Sequence, residues 1–200
     1  MRTADMASLL EEHDQRVFTT GDFAILSGTS VALASQHLRR MTASGLVTRI
    51  KRAVWINRLA RGINPCEAVP YLRAPWPAYV SLHSALSEHG VIEEIPQVTY
   101  AVTPALPWRY RTPLGAFHYH HLPNRLIWGY SVRRSGSASY PMADPEKAFL
   151  DLVYLALIPR SPLGFPRKRE KAWNLDTAKL MRYAGRFKYP PLLEYVRKMR

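Results

Sequence analysis

Residues 30–56 read SVALASQHLRRMTASGLVTRIKRAVWI and contain the clearest structural pattern in the chain. Four apolar residues near its start follow the three- and four-residue spacing that forms one apolar stripe along a helix. The stripe consists of Val31, Ala34, Leu38 and Met41. Ser30 suits the N-terminus of such a helix, and Gly45 suits the position just after its end. The sequence therefore predicts an amphipathic helix between these two residues.

Apolar and basic residues alternate after this helix, in LVTRIKRAVWI over residues 46–56. The alternation predicts a small hairpin with a positively charged tip. Before the helix, residues 4–14 and residues 17–28 predict two shorter helices, since their apolar residues recur at helical spacing. Three helices, a glycine-containing turn and a hairpin within residues 1–62 are typical of a winged helix-turn-helix domain.

A winged helix-turn-helix places one helix in the major groove of double-stranded DNA. Amide and guanidinium groups on that helix recognise base edges, and basic residues of the hairpin neutralise phosphates. We expect Gln36 and Arg39 to contact bases, and Arg40 to reach the DNA backbone or water. The predicted DNA-binding residues are Ser30, Ser35, Gln36, Arg39, Arg40, Arg49, Lys51 and Arg52. A solvated helix face, or a protein-binding module of the same architecture, is the alternative interpretation.

The charge of the chain favours an anionic partner. Its 200 residues include 28 Lys+Arg against 15 Asp+Glu, which gives a formal net charge of +13. The excess is concentrated at residues 1–62 and residues 157–200, whereas residues 63–156 contain seven basic and seven acidic side chains. Such an imbalance favours binding to nucleic acid or to an anionic membrane surface.

The single cysteine, Cys66, excludes an internal disulfide and any metal site made of several thiolates. The first residues, MRTADMASLLEEHDQR, lack the apolar core of a signal peptide, and no window has the roughly 18–20 apolar residues of a membrane span. We therefore expect a cytoplasmic chain that does not enter a membrane.

Residues 63–200 are predicted to form a second domain of the α+β class. Three runs rich in aromatic and β-branched residues, VTYAVT, GAFHYHHL and LIWGYSV, predict an antiparallel sheet. Residues 142–157 predict a helix, because Asp144 can cap it and Pro145 suits its first position. A basic, proline-broken segment at about 159–200 predicts two further helices, with aromatic residues in the core and basic residues as a nonspecific phosphate surface.

The carboxylates of DPEKAFLD, residues 144–151, suggest a nuclease or nucleotidyltransferase as an alternative function. However, Asp144 and Glu146 are explained as the cap and first-turn charge of a helix. Lys147 and Asp151 are predicted to form an exposed ion pair one helical turn apart. We therefore expect no catalytic residues in this segment.

His118 and His120 alternate along a predicted strand and share one of its faces, which suggests a metal site. No acidic third ligand lies at a convincing spacing. The sequence also lacks a glycine-rich phosphate-binding loop and a serine nucleophile motif. We therefore expect neither a metal site nor a cofactor.

The order of these segments resembles the AbiEi family of antitoxins from type IV toxin–antitoxin systems. The resemblance rests on the predicted winged helix followed by YVSLHSALSEHGVI, VTYAVTP, TPLGAFHYHHL and MADPEKAFLDLVY, and it is most specific at residues 81–90 and 143–152. It implies an N-terminal domain that binds operator DNA and represses its own operon. It also implies a C-terminal domain that counteracts a nucleotidyltransferase-like toxin, with no need for a stable complex. The basic stretch PRSPLGFPRKREKAW, residues 159–173, is a departure for which the resemblance implies no role.

One winged helix recognises one half-site, whereas specific repression usually requires two. The sequence offers no coiled coil for a preformed dimer. We therefore expect a monomer in solution and two copies on an inverted repeat. A regulator without any toxin is the remaining alternative, and only the neighbouring genes distinguish it.

Overall fold

The computed structural model describes residues 2–159, 161–164 and 173–199 of the chain. Eight α-helices and two sheets, of three and six strands, lie within these ranges. The mixed α+β class predicted from the sequence is confirmed. None of the described helices is long and apolar enough to cross a membrane.

The N-terminal unit, residues 2–57, contains three helices and the three-stranded sheet. Its elements are α1 (Thr3–Glu12), β1 (Val17–Thr19), α2 (Thr20–Leu26), α3 (Val31–Ala43), β2 (Val47–Lys51) and β3 (Val54–Asn57). β3 lies between β1 and β2 and is antiparallel to both. The Thr19 hydroxyl accepts a hydrogen bond from the backbone amide of Asp22 at the start of α2. The Ser30 hydroxyl accepts one from the backbone amide of Leu33 at the start of α3. Both side chains therefore act as helix caps.

The apolar stripe of α3 is buried except at its first residue. Ala34, Leu38 and Met41 are fully buried, whereas Val31 is 60% exposed, so the prediction that it belongs to the stripe is wrong. Val31 begins the helix, where it projects from the edge of the buried face. The fourth buried residue of that face is His37.

The C-terminal unit, which comprises the described residues between 64 and 199, is built around the six-stranded sheet. Its strands are β4 (Tyr79–Val80), β5 (Val98–Thr103), β6 (Trp108–Thr112), β7 (Gly115–His121), β8 (Tyr130–Ser135) and β9 (Ala138–Ala143). Its helices are α4 (Val69–Arg73), α5 (Leu82–Glu88), α6 (Pro145–Leu157), α7 (Thr177–Arg186) and α8 (Pro190–Lys198). Two short 3-10 helices, Pro65–Ala68 and Asn124–Leu126, complete it.

The strands of this sheet follow the order β6-β7-β5-β4-β9-β8. The prediction of a purely antiparallel sheet is wrong, because β5 pairs with β7, and β4 with β9, in parallel. The first parallel pair arises because the chain leaves β5, forms β6 at the sheet edge, and returns as β7 between the two. A strand that returns in this way from a hairpin runs in the direction of β5.

Helix α6 lies in the core, and ten of its residues are buried. The prediction of an exposed Lys147–Asp151 pair is wrong, since neither side chain has any exposed surface. Pro145 occupies the first turn as predicted, but Asp144 makes no capping hydrogen bond with its side chain. Its carboxylate instead accepts a hydrogen bond from the hydroxyl of Tyr183 on α7 at 3.0 Å.

The two helices predicted near the C-terminus are present as α7 and α8. The apolar stripe predicted here consists of Leu180, Tyr183, Ala184 and Phe187. Three of these residues are buried, whereas Tyr183 is only partly buried against the same core. Most of the predicted basic stretch at 159–171 lies outside the described residues, which include only 159 and 161–164 of it.

The two units share apolar packing through the strands of the small sheet. Phe18 and Trp55 face the core of the N-terminal unit, whereas Val17, Val54 and Ile56 belong to the core of the C-terminal unit. Because successive residues of a strand point to opposite faces, β1 and β3 contribute to both cores.

Candidate nucleic-acid interface

The exposed face of α3 carries four residues at positions i, i+4, i+7 and i+11. They are Ala32, Gln36, Arg39 and Ala43. On a helix this spacing places the side chains in one line, opposite the buried residues Ala34 and Leu38. The face therefore presents one amide and one guanidinium group between two methyl groups. Ala32 and Ala43 were not predicted as site residues, although a helical projection from Gln36 would have found them.

Two predicted residues on α3 already have structural partners. The hydroxyl of Ser30 caps the helix, as described above. Arg40 donates a hydrogen bond from Nη2 to Nδ1 of His37 at 2.7 Å. Burial, followed by the charge of Arg40, lowers the pKa of His37, which is consistent with a neutral imidazole that accepts this bond. Arg40 is thus engaged with its own helix, although it is exposed like Arg39. Ser35 is half-buried at the edge of the exposed face.

The hairpin of β2 and β3 positions the three predicted basic residues differently. Arg52 is exposed in the turn, next to Ala53 with its positive φ of 60°. Arg49 is exposed as well, with its guanidinium 5.9 Å from the ring centre of Trp55 and its Nε donating to the carbonyl of Lys51. The side chains of Arg49 and Arg52 are therefore both on the surface of the hairpin.

Lys51 points instead towards the C-terminal unit. Its ammonium donates to the carbonyl of Leu72 at 2.8 Å and lies 5.9 Å from the ring centre of Tyr110. An ammonium with these partners contributes to the contact between the units. Alternation of residues in the hairpin indicated a basic tip but contained no signal for this contact.

A buried ion pair fixes the N-terminal unit to the chain that follows it. Arg16 donates to the carboxylate of Glu67 from Nε at 2.8 Å, and both side chains are less than 10% exposed. The same guanidinium donates to the carbonyls of Arg61 and Gly62. The hydrogen bond to Glu67 raises the pKa of Arg16. This connection restrains the segment that precedes the first 3-10 helix.

The alternative site, the carboxylates of residues 144–151, is arranged as a buried cluster. Asp151 accepts hydrogen bonds from the hydroxyl of Tyr79 at 3.1 Å, from the hydroxyl of Ser81 at 2.8 Å and from the ammonium of Lys147. Lys147 also donates to the hydroxyl of Tyr79 and lies 5.0 Å from the ring centre of Trp128. Because Lys147 and Asp151 are fully buried, a substrate in solution has no access to them.

Asp144 and Glu146 bind α7. Lys179 of α7 pairs with the carboxylate of Glu146 at 2.9 Å and with that of Asp144 at 3.3 Å. The carboxylate of Glu146 also accepts a hydrogen bond from the backbone amide of Asp176 at the start of the same helix. Within the described ranges, no group of three His, Cys, Asp or Glu side chains is placed to hold a metal ion. These carboxylates therefore connect two helices.

No protein-family model matches the chain, and no curated protein matches it. The similarity to AbiEi antitoxins therefore rests on the sequence motifs themselves.

Proposed function

We propose that this protein is a DNA-binding repressor with antitoxin activity, as in the AbiEi family. In this proposal the N-terminal unit is a winged helix-turn-helix that inserts α3 into the major groove of operator DNA. The C-terminal unit counteracts a nucleotidyltransferase-like toxin, with or without direct contact.

The observation that carries the DNA-binding part is the exposed line of residues on α3. Glutamine pairs bidentately with adenine and arginine with guanine in the major groove, and an alanine methyl group packs against the thymine methyl group. Gln36 and Arg39 lie between two such methyl groups, those of Ala32 and Ala43, on a face free of acidic residues.

The charges around α3 also support this proposal. From Arg16 to Arg61 the chain contains eight basic residues, and Asp22 is its only acid. Asp22 is occupied as a capping residue, since its carboxylate accepts the amide of Thr19 at 2.8 Å. Arg49 and Arg52 of the hairpin are exposed and suited to phosphate contacts beside the groove.

The test is a mobility-shift titration with the DNA upstream of the gene, compared with a scrambled duplex over a series of salt concentrations. Wild-type protein is expected to prefer the upstream DNA at near-physiological salt, whereas binding by charge alone is steeply salt-dependent and has no preference. The double variant Gln36→Ala/Arg39→Ala should lose at least about 30-fold in preference, since each bidentate base contact contributes about 1–3 kcal/mol.

The matched control is Arg134→Ala, which removes the same single positive charge from an exposed site on β8. It should retain the preference. An unchanged preference in Gln36→Ala/Arg39→Ala, with a normal unfolding transition, would remove α3 as the recognition helix.

The antitoxin part needs a separate readout. We expect Gln36→Ala/Arg39→Ala to lose repression of a promoter–reporter fusion and still to protect cells that express the adjacent toxin gene. Loss of protection at equal protein levels would mean that the DNA-binding surface itself is required against the toxin. Failure of the wild-type protein to protect would refute antitoxin activity.

The expected stoichiometry is one protein per half-site. Size-exclusion chromatography should give a monomer for the protein alone and two copies on a duplex that contains both half-sites. A stable dimer without DNA would contradict assembly on the operator.

A further inference from the structure

The strands β5 and β7 have one face in the core and one face that is only partly covered, since Val102 on this second face is fully buried. Ala101, Phe117 and Tyr119 point into the core and are at most 2% exposed. The alternate residues, Tyr100 on β5 and His118 on β7, are only partly buried. We call this second side the open sheet face and define it by Tyr100, Arg109, Arg111, His118 and His120.

Aromatic and basic side chains are aligned across the open sheet face. Arg109 is paired with His118, and His118 with Tyr100, in the register of the three strands. Adjacent strands are about 4.8 Å apart, so this row spans about 10 Å, a distance comparable to the size of one nucleotide. The ring of Tyr100 lies 5.7 Å from that of His118, edge to face, and 6.0 Å from that of His120, stacked.

The histidines of this face have unused hydrogen-bonding capacity. Among the residues that the structure describes, neither Nε2 of His120 nor Nδ1 of His83 has a hydrogen-bond partner, and both atoms are buried. The ring of His83 lies 5.2 Å from that of Tyr100. Buried polar atoms are rarely left unpaired, so an unpaired nitrogen requires an explanation. Burial lowers the pKa of His118, and it lowers that of His120 to about 4, further aided by nearby His118 and Arg109. Neutral imidazoles can stack and exchange hydrogen bonds with a base edge.

The charge around the open sheet face is mainly positive, although Glu94 lies close enough to His83, beside Tyr100, to oppose the lowering of its pKa. Between Glu94 and Asp144 the sequence has no aspartate or glutamate and five arginines, which are Arg109, Arg111, Arg125, Arg133 and Arg134. Arg109 and Arg111 are both exposed on the edge strand β6. A groove of about 470 Å³, lined by Arg109, His118, His120 and Pro107, opens at the end of the same face.

We propose that the open sheet face binds a single-stranded nucleic acid, separately from the duplex-binding surface of α3. A base stacks against Tyr100 and His118, and the flanking phosphates contact Arg109 and Arg111. Stacking on aromatic and histidine side chains, combined with a basic groove for the backbone, is how proteins hold unpaired strands. The sheet offers these groups on neighbouring strands, without a carboxylate among the five residues that define the face.

The test measures fluorescence anisotropy of labelled eight-nucleotide single strands, as RNA and as DNA of the same sequence, with a duplex of equal length as the reference. Wild-type protein should bind at least one single strand more tightly than the nonspecific duplex. Tighter binding of the RNA than of the DNA would indicate contact with the 2′-hydroxyl, and equal binding would assign recognition to bases and phosphates alone.

The decisive variant is Arg109→Ala/Arg111→Ala/His118→Ala, which should weaken binding of the single strand at least tenfold. Its control is Arg133→Ala/Arg134→Ala, which removes two arginines from β8 at the opposite edge of the sheet. Equal weakening in both variants would reduce the effect to net charge and overturn the proposal.

A second measurement does not depend on a variant. The imidazole NMR signals of His118 and His120 should shift when the wild-type protein is titrated with the single strand, and unchanged signals would also overturn the proposal. The triple variant should retain the operator preference of wild type. A failure of the single-strand proposal is therefore distinguishable from a failure of the repressor proposal, because the two are measured on different nucleic acids.

Discussion

Lys147 and Asp151 lie one turn apart on α6, and the ammonium of Lys147 donates a hydrogen bond to the carboxylate of Asp151 in a site with no exposed surface. Burial lowers the pKa of Lys147 and raises that of Asp151, and the attraction between the two groups opposes both shifts. The hydroxyls of Tyr79 and Ser81 also donate to the carboxylate. Burial thus opposes the charged forms of the two groups, and their hydrogen-bond partners favour them.

Removal of one member of this pair is expected to destabilise the fold strongly. Lys147→Met leaves an unpaired carboxylate in the core and should lower the free energy of unfolding by about 3–5 kcal/mol. The double variant Lys147→Met/Asp151→Leu should lose less than the sum of the two single variants. The loss of stability in the single and double variants is measured by urea unfolding, with circular dichroism as the signal.

The control for this prediction is an ion pair with the same four-residue separation at the surface. Glu194 and Lys198 on α8 are paired at 2.6 Å but are mostly exposed, so Lys198→Met should leave stability unchanged within error. If Lys147→Met behaved like Lys198→Met, the buried cluster would have no role in stability.

Gly129 is expected to be irreplaceable because of Lys147. Its φ is +71°, and a Cβ atom at this position would lie 3.0 Å from Cγ of Lys147. Gly136 also has a positive φ, +56°, but the space beside it is open. Gly136→Ala should therefore cost only the backbone strain, about 1 kcal/mol, whereas Gly129→Ala should cost about 2 kcal/mol more. Thermal melting of the two variants measures the difference, and equal melting temperatures would show that the lysine moves aside.

The sequence predicted the helices and strands of this protein better than it predicted which of their side chains are buried. Helical spacing located α3 and α6, and β-branched and aromatic runs located β5 and β7. The same spacing placed Lys147 and Asp151 one turn apart but could not show which side of α6 would be covered. Burial on all sides of α6 depends on α5, α7 and α8, which are distant in the chain.

Two features of the candidate site show the same limit. Lys51 lies at the hairpin tip as predicted, yet its ammonium binds the carbonyl of Leu72, a backbone group that leaves no trace in residue patterns. The alternation of His118 and His120 suggests a metal site and does not predict the open sheet face. The position of these histidines beside Tyr100 and Arg109 depends on how β5 and β6 pair with β7. The alternation of residues within one strand does not indicate how strands pair.

The ion pair between Arg16 and Glu67 is expected to contribute to stability through its burial. Glu67→Gln removes the charge that faces Arg16 and should lower the free energy of unfolding by about 2–4 kcal/mol. Glu88→Gln is the control, because Glu88 lies 3.9 Å from Arg133 and both side chains are 38% exposed. This control should change stability by less than about 0.5 kcal/mol. Urea unfolding of both variants checks the contrast, and equal effects would contradict a role for burial.

Stability is expected to fall as the pH decreases from 7 to 5, partly because of His120. Burial, together with His118, Arg109 and His83, lowers the pKa of His120 in the folded protein to about 4, whereas the unfolded chain has the ordinary value of 6.5. Between these values the unfolded state binds a proton that the folded state does not, so the stability present above pH 6.5 is lost as the pH falls towards 4.

At pH 5 the loss of stability from His120 is on the order of 1 kcal/mol, since solvent screening at its partly exposed ring reduces the full effect. Urea unfolding at pH 7 and pH 5 should show a smaller difference for His120→Gln than for wild type. A residual difference is expected from His37, His83 and His118, whose pKa values are also lowered by burial. A wild-type stability that is the same at both pH values would contradict the neutral, buried state of these imidazoles.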